Sequence, residues 1–193
     1  HRTNEALAKV IVNAVTDLDE RFTSAVHLLS TREEINQLLA MDQFVDLIIP
    51  RGSNQPVRFI KEHTKIPVLG HADGICHTYV DESADLEMAR SVCFDAKVQY
   101  PAVCNAMETL LVHENVALTF IPAMAERFQQ AGVELRGDEG SCSLAEMMEA
   151  SEEDWSTEYN DLVLSVKIVS TLEEAVQHIN RYGSHHSDAI VAT

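Results

Sequence analysis

The alternation of short apolar runs with helix-like segments is the feature that most constrains how this chain folds. Runs at 26–29, 45–49 and 66–69 are rich in apolar residues, whereas segments such as 4–15 and 84–96 repeat apolar residues every three or four positions. Short apolar runs are typical of strands buried on both faces, which occur in parallel sheets connected by helices. The alternation therefore predicts an α/β fold with a parallel sheet covered by helices.

The pattern is interrupted once and then continues. Pro101 blocks continuation of the preceding helical segment, so we place a domain boundary between Lys97 and Pro101. A strand is expected shortly before the interruption, at 77–80. After it, the pattern predicts strands at 109–113, 133–135, 162–169 and 188–191 and helices at 116–130 and 171–182.

The acidic charge balance excludes two classes of partner. The sequence has 14 Lys and Arg against 31 Asp and Glu, a formal net charge of -17. This charge repels phosphate backbones and anionic lipid, so we expect neither nucleic acid nor a membrane surface as a partner. No apolar run approaches the roughly 20 residues that a membrane-spanning helix needs. Because the chain begins at His1 and ends within an apparent strand, we expect it to be a fragment of a longer protein.

The four cysteines are expected to be reduced thiols. Cys76, Cys93, Cys104 and Cys142 include no C-x-x-C pair, which disfavours a zinc knuckle or a thioredoxin-type motif. A chain of 193 residues, 46% of them hydrophobic, can bury a core without disulfides.

Two polar clusters adjoin predicted strands. Arg51, Gly52 and Ser53 lie between a strand and a helix, where helix N-terminal amides can bind a phosphate, although many such turns bind nothing. The cluster at 71–77 combines two imidazoles, a carboxylate and a thiol. Its spacing fits no common metal site, so we expect no metal and prefer a polar, glycine-containing loop at a strand end.

Cys104 is the strongest candidate for chemistry. It lies on a loop that begins at Pro101 and is followed by Asn105. At a domain boundary such a thiol can reach a bound substrate, and neighbouring N–H groups can form an oxyanion hole. A buried structural cysteine is the alternative. From position alone, Glu158 and His185 are compatible with ordinary surface residues.

Four longer segments carry a family resemblance. They are VDLIIPRGSNQPVRFIKEHTKIPVLGHADGICHTYVD (45–81), DAKVQYPAVCNAMETLLVHE (95–114), TEYNDLVLSVKIV (157–169) and HINRYGSHHSDAIV (178–191). Together they resemble the γ-glutamyl phosphate reductases, free-standing or as the C-terminal part of Δ1-pyrroline-5-carboxylate synthase, in the aldehyde dehydrogenase superfamily. The resemblance covers essentially the whole chain.

The resemblance implies both a fold and a reaction. The fold is aldehyde dehydrogenase-like, with residues 1–98 as the latter part of an NADPH-binding, Rossmann-type lobe and residues 99–193 as the first part of a catalytic α/β lobe. The reaction is the NADPH-dependent reduction of L-glutamate 5-phosphate to L-glutamate 5-semialdehyde and phosphate, in proline biosynthesis. The fragment alone is expected to lack parts of the site.

The resemblance also implies residue roles. Cys104 matches the nucleophile, which forms a thioester that is reduced through a thiohemiacetal, with backbone N–H groups and Asn105 near the oxyanion. Gly52 and Ser53 match the pyrophosphate site, and Glu158 matches the glutamate that holds the nicotinamide ribose.

Four further residues are given roles by position in the resembling segments. Arg51 is expected to supply local positive charge to the cofactor phosphates. His71, Asp73 and His185 are expected to contact the substrate.

One departure from the wider superfamily is informative. Hydrolytic aldehyde dehydrogenases carry a general-base glutamate in an ELGGK-type segment, and the matching stretch LGHADG (69–74) has none. Hydrolysis of an acyl-enzyme needs a base to activate water, whereas exchange with phosphate does not. The departure agrees with an acyl-phosphate reductase.

Two alternatives stay open. One is a non-catalytic α/β binding or assembly module that keeps the fold, and the other is a metal hydrolase using His71, Asp73 and His77. For partners, the resemblance implies a homo-oligomer and a fused or associated glutamate 5-kinase. It implies the cytoplasm, or the mitochondrion for a eukaryotic bifunctional parent.

Overall fold

The structure, a computed structural model, describes residues 2–52, 54–70 and 73–193. The chain divides into two compact units, His1–Gly70 and His71–Thr193.

The first unit is mainly helical. It contains α1 (Arg2–Leu18), α2 (Arg32–Leu39) and α3 (Asn54–His63), with a short 3-10 turn at Glu20–Phe22. Helix α2 begins with a capping box, in which the Thr31 side chain accepts the Glu34 N–H and the Glu34 side chain accepts the Thr31 N–H. This reciprocal bonding satisfies amide groups that a helix start leaves unpaired.

The strands expected in the first unit are largely missing from its described residues. The runs at 45–49 and 66–69 form one parallel bridge, Ile48 to Val68. The strand predicted at 26–29 is wrong, since that run joins no ladder in the described part of the chain. An apolar run becomes a strand only when a neighbouring strand accepts and donates its backbone hydrogen bonds.

The second unit contains a six-stranded sheet in the order β4-β3-β5-β2-β1-β6, and every adjacent pair is parallel. The sheet confirms the predicted α/β fold class. In chain order the elements are β1 (Cys76–Val80), α4 (Leu86–Val98), β2 (Met107–His113), α5 (Glu114–Gln130), β3 (Glu134–Gly137), α6 (Glu139–Leu144), β4 (Met148–Glu149), β5 (Val163–Val169), α7 (Leu172–Tyr182) and β6 (Ala189–Val191).

Apolar side chains cover both faces of this sheet. On one face, Phe120 and Phe128 of α5 belong to the same buried cluster as Leu110 of β2 and Leu164 of β5. On the other face, Ala175 of α7 belongs to a second cluster, together with Tyr79, Leu111 and Val169. The three-layer arrangement explains why strands β2 and β5 consist of nearly continuous apolar runs.

The compact units divide earlier along the chain than the expected lobe boundary at residues 98 and 99. Strand β1 pairs with β2 in the sheet, and side chains of α4 and α5 belong to one buried cluster. The segment before Pro101 therefore belongs to the compact unit that contains Cys104. The assignment of 1–98 and 99–193 to a cofactor lobe and a catalytic lobe stays a prediction. Among the described residues, no helix is both long and apolar enough to cross a membrane.

Candidate active site

Cys104 lies on the loop that joins α4 to β2. Two successive turns shape this loop, because the Val103 N–H donates to the Tyr100 carbonyl at 3.2 Å and the Ala106 N–H donates to the Val103 carbonyl at 2.9 Å. Cys104 and Asn105 lie between the donors of the two turns, and both are exposed. Within the described residues, their own N–H groups donate to no backbone carbonyl, which leaves them accessible to the oxygen of a ligand.

The four cysteines differ sharply in their surroundings. All four are free thiols, and Cys104 is the exposed one. Burial raises the pKa of Cys93 to about 12 and that of Cys76 to about 11, and it also raises the pKa of Cys142. Since the thiolate is the nucleophilic form, these three thiols are poorly suited to nucleophilic attack.

Cys76 contributes to the site in another way. It is the first residue of β1, and its Sγ donates a hydrogen bond to the carbonyl oxygen of Cys104 at 3.3 Å. Its raised pKa keeps the sulfur protonated at neutral pH, so it remains a donor. The first residue of β1 therefore helps to hold the backbone of the Cys104 loop, which leads into the neighbouring strand β2.

Gly74 connects the segment that contains Glu158 with the Cys104 loop. The Gly74 N–H donates to Oε1 of Glu158 at 2.9 Å. A Cβ on Gly74 would collide with the carbonyl oxygen of Cys104 and would lie 2.6 Å from Glu158 Oε1. Only glycine lets these two groups approach so closely. Cys104 and Glu158, predicted as nucleophile and cofactor ligand, thus both approach the same glycine closely.

Ile75 holds the loop that carries His185. The Ile75 N–H donates to Ser184 Oγ at 2.9 Å, and the Ser184 N–H donates to the Ile75 carbonyl at 3.2 Å. The His77 N–H donates to Oδ1 of Asp188 at 2.9 Å. His185 itself is exposed and adopts a left-handed backbone conformation, with φ of 60°.

Three consecutive residues, Gly74, Ile75 and Cys76, therefore bind three distant segments. The bonds span 84, 109 and 28 positions along the chain. All of these segments precede a strand, so the site lies at the amino-terminal edge of the parallel sheet. The general rule for open α/β sheets places ligands at the carboxyl ends instead. Sequence reasoning recognised the polar cluster at 71–77 but missed the roles of Gly74 and Cys76, for which a glycine beside a strand start was the available signal.

The other predicted site residues lie as follows. Asp73 is half-buried just before Gly74. Arg51 and Gly52 are exposed in the first unit, between the bridge at Ile48 and α3. Ser53 and His71 are outside the described residues. In the described part of the chain, no group of three or more His, Cys, Asp or Glu side chains is arranged to hold a metal ion.

Comparison with known proteins assigns the family. The model of the aldehyde dehydrogenase family matches residues 3–162. The chain is 54% identical to γ-glutamyl phosphate reductase of Methanococcoides burtonii and 56% identical to that of Methanosarcina barkeri, in each case over 98% of this chain. This chain belongs to the aldehyde dehydrogenase family. It spans 43% and 44% of the lengths of those two relatives.

A solved structure agrees with this assignment. The crystal structure of γ-glutamyl phosphate reductase from Thermotoga maritima superimposes with a TM-score of 0.92 at 36% sequence identity. The match covers 98% of this chain and 46% of that protein. The predicted aldehyde dehydrogenase-like fold is therefore confirmed, as is the resemblance to this group of reductases.

Proposed function

We propose that this chain carries the cysteine site of an NADPH-dependent reductase that converts L-glutamate 5-phosphate to L-glutamate 5-semialdehyde and phosphate, a step of proline biosynthesis. The names of these two relatives support the substrate class. The single observation that carries the proposal is the exposure of Cys104 on a loop that two turns, Cys76 and the close approach of Gly74 hold in place.

Cys104 would act as the nucleophile. Its thiolate attacks the acyl carbon of the 5-phosphate, and a new C–S bond forms as the bond to the phosphate oxygen breaks. Phosphate leaves, and the substrate remains as a thioester. Hydride addition to the carbonyl carbon would give the thiohemiacetal as its alkoxide. As the C=O bond re-forms, the C–S bond breaks, which releases the aldehyde and returns Cys104 as the thiolate.

The turns around Cys104 supply the electrostatic part of the mechanism. Negative charge develops on the carbonyl oxygen of the substrate during both attack and reduction. The N–H groups of Cys104 and Asn105 take no part in the turn bonds of the described loop, so they are suited to donate to that oxygen. The Asn105 side chain adds a further amide donor. Removal of one such donor typically costs about 100- to 1,000-fold in turnover.

Glu158 is suited to bind a nicotinamide cofactor. Its half-buried carboxylate lies beside the Cys104 loop and accepts the Gly74 N–H, so it can present oxygen atoms to ribose hydroxyls close to the nucleophile. The bound cofactor would supply the hydride. Arg51, Gly52 and Ser53 would bind its phosphates, and the relatives' names as reductases agree with a cofactor that donates hydride.

The substrate would contact residues of the polar segments. Asp73 would accept hydrogen bonds from the ammonium group of the glutamyl moiety, and His71 and His185 would contact its polar atoms. The segment has no glutamate at the position of the hydrolytic base, which protects the thioester from water. A homo-oligomer, a fused or associated glutamate 5-kinase and a cytoplasmic location stay predictions of the resemblance.

Substitution of the nucleophile tests the proposal. In the full-length protein, Cys104→Ala is expected to abolish phosphate-dependent NADP reduction by L-glutamate 5-semialdehyde, which is the reverse reaction, while NADPH still binds. Cys142→Ala is the matched control and is expected to retain turnover, since Cys142 donates to the Gly137 carbonyl away from the Cys104 loop. Turnover that survives Cys104→Ala would contradict the role of Cys104 as the nucleophile, whereas a full-length wild type without turnover would favour a non-catalytic module.

A further inference from the structure

A buried ion pair joins the two ends of the Cys104 loop. Nζ of Lys97 donates to Oε2 of Glu108 at 2.6 Å, and the two side chains are 0% and 2% exposed. Lys97 lies in the last turn of α4, and Glu108 is the second residue of β2. The loop that carries Cys104 is the whole connection between these two elements. The pair therefore fixes the distance between the points where the loop leaves one element and enters the next.

The position of Glu108 in β2 is irregular. Cys76 pairs with Met107, and His77 pairs with Thr109, so Glu108 is an extra residue in the ladder. A bulge of this kind releases one residue from the regular alternation and redirects its side chain. Bulges are frequent beside functional sites. In this strand the redirected side chain is a carboxylate that points into the protein.

Glu108 also binds the segment of Glu158. Its second oxygen, Oε1, accepts the backbone N–H of Asn160 at 3.2 Å. Asn160 adopts a left-handed conformation with φ of 55°, which turns the chain two residues after Glu158. One carboxylate thus connects the loop of the candidate nucleophile with the segment of the candidate cofactor ligand.

Stability alone does not explain the pair. Burial lowers the pKa of Lys97 and raises that of Glu108, and each group partly offsets this effect for the other. Replacement of a buried ion pair by apolar residues of similar volume is often neutral or stabilising. The pair has a desolvation cost, but it links two segments of the candidate site. Its role is therefore better explained by the geometry of the site than by stability.

We propose that Lys97 and Glu108 are positioning residues that hold Cys104 at a fixed place relative to Glu158. The inference rests on the proposed function, because that function requires Cys104 and Glu158 to be held at a fixed distance. Hydride transfer requires the carbon bound to Cys104 to lie against the nicotinamide that Glu158 would orient. A displacement of about 1 Å can lower turnover by about 100-fold.

The double variant Lys97→Met with Glu108→Leu tests the inference in the full-length protein. Because both replacements are apolar and of similar volume, we expect the melting temperature to stay close to that of the wild type. Turnover is expected to fall about 10- to 100-fold, with a higher KM for NADPH. Arg90→Met with Glu87→Leu is the matched control, because it removes an ion pair of α4 in which Glu87 is 84% exposed. The control is expected to keep the turnover of the wild type.

Alkylation of Cys104 by iodoacetamide separates this inference from the proposed function, since it needs neither substrate nor cofactor. Cys104 is exposed on an ordered turn, so its alkylation rate reports how the loop presents Sγ to the reagent. We expect alkylation at pH 7 to slow by about threefold or more in the double variant and to stay unchanged in the control. If the full-length protein has no reductase activity but the double variant is still alkylated more slowly than the wild type, the proposed function is rejected and the inference about the position of Cys104 is kept.

An unchanged alkylation rate in a folded double variant would overturn the inference, whatever the turnover. If the double variant does not fold, Glu108→Gln replaces it. The amide keeps an acceptor for the Asn160 N–H but weakens the bond to Lys97. We expect a smaller decrease in the alkylation rate and a KM for NADPH close to that of the wild type. An unchanged alkylation rate in Glu108→Gln would also overturn the inference.

Discussion

The two compact units use similar sequence patterns with different results. In the first unit, three apolar side chains among the described residues are buried, Leu39, Val57 and Ile66. Along α1 of the same unit, large apolar side chains are between 47% and 84% exposed, namely Leu7, Val10, Ile11 and Leu18. The second unit buries apolar side chains on both faces of a six-stranded sheet.

The difference shows which signals are local and which need partners. Helices form in both units, since caps and periodic apolar residues lie within each helix or next to it. Among the described residues, strands form fully only in the second unit, where each finds a neighbour. The residues with established mutual geometry, Gly74, Cys76, Cys104 and Glu158, all belong to that unit. A rigid sheet is what allows loops from distant parts of the chain to meet at one edge.

The largest effect is expected from truncating the buried phenylalanine of the second unit, compared with an exposed phenylalanine of the first. Phe120 in α5 is 0% exposed, and Phe44 in the first unit is 84% exposed. We expect Phe120→Ala to lower the free energy of unfolding by about 3–5 kcal/mol, since it leaves a cavity in a close-packed core. Phe44→Ala is expected to change it by about 0.5 kcal/mol or less. Urea titration of both variants measures the difference, and equal losses would contradict the contrast between the units.

The sequence predicted the second unit well where the signals were local. The helix predicted at 171–182 forms as α7, whose Thr171 cap accepts the Glu174 N–H, and α5 and β5 lie within two residues of their expected bounds. Cys104 was predicted as a candidate nucleophile from its loop, and that role stays a prediction. The bulge at Glu108 and the contacts of Gly74 were not predictable, since they depend on segments up to 84 positions away that come together only in the folded sheet.

The next largest effect is expected from adding a side chain at Gly74. We expect Gly74→Ala to destabilise the protein by about 3 kcal/mol, because the added methyl group meets the backbone of Cys104 and the Glu158 carboxylate. Turnover of the full-length protein should fall with it. Gly52→Ala is the control for stability, since a Cβ there has no neighbour within 4 Å in the described structure. Thermal unfolding compares the two, and a neutral Gly74→Ala would show that the site tolerates displacement of its central segment.

A smaller effect on the free energy of unfolding is expected when the pH is lowered. His178 in α7 is buried among the rings of Trp155, Tyr182 and His77, and burial lowers its pKa to about 3. In the unfolded chain the His178 imidazole binds a proton below about pH 6.5, whereas in the folded chain it stays neutral down to about pH 3. The free energy of unfolding therefore falls as the pH decreases from about 6.5 to about 3. Between pH 6.5 and 5 the loss is about 2 kcal/mol.

The variant His178→Phe identifies the source of that loss. It removes the titrating group but keeps a ring in the second unit, so its stability is expected to depend less on pH over the same window. Urea unfolding at pH 7, 6 and 5 provides the measurement. If the wild type and His178→Phe lose stability in parallel, another group is responsible.

The smallest effect is expected on the exposed face of α1. Val10 is 65% exposed within a helix, and alanine is the better helix former, so Val10→Ala is expected to change stability by about 0.5 kcal/mol or less, in the stabilising direction. Val57→Ala in α3 is the matched control, since Val57 is 2% exposed and the same change there is expected to cost about 1–2 kcal/mol. Urea titration distinguishes the two. A loss above about 1 kcal/mol in Val10→Ala would mean that the apolar side of α1 is covered when the protein is folded, because an exposed valine has no packing to lose.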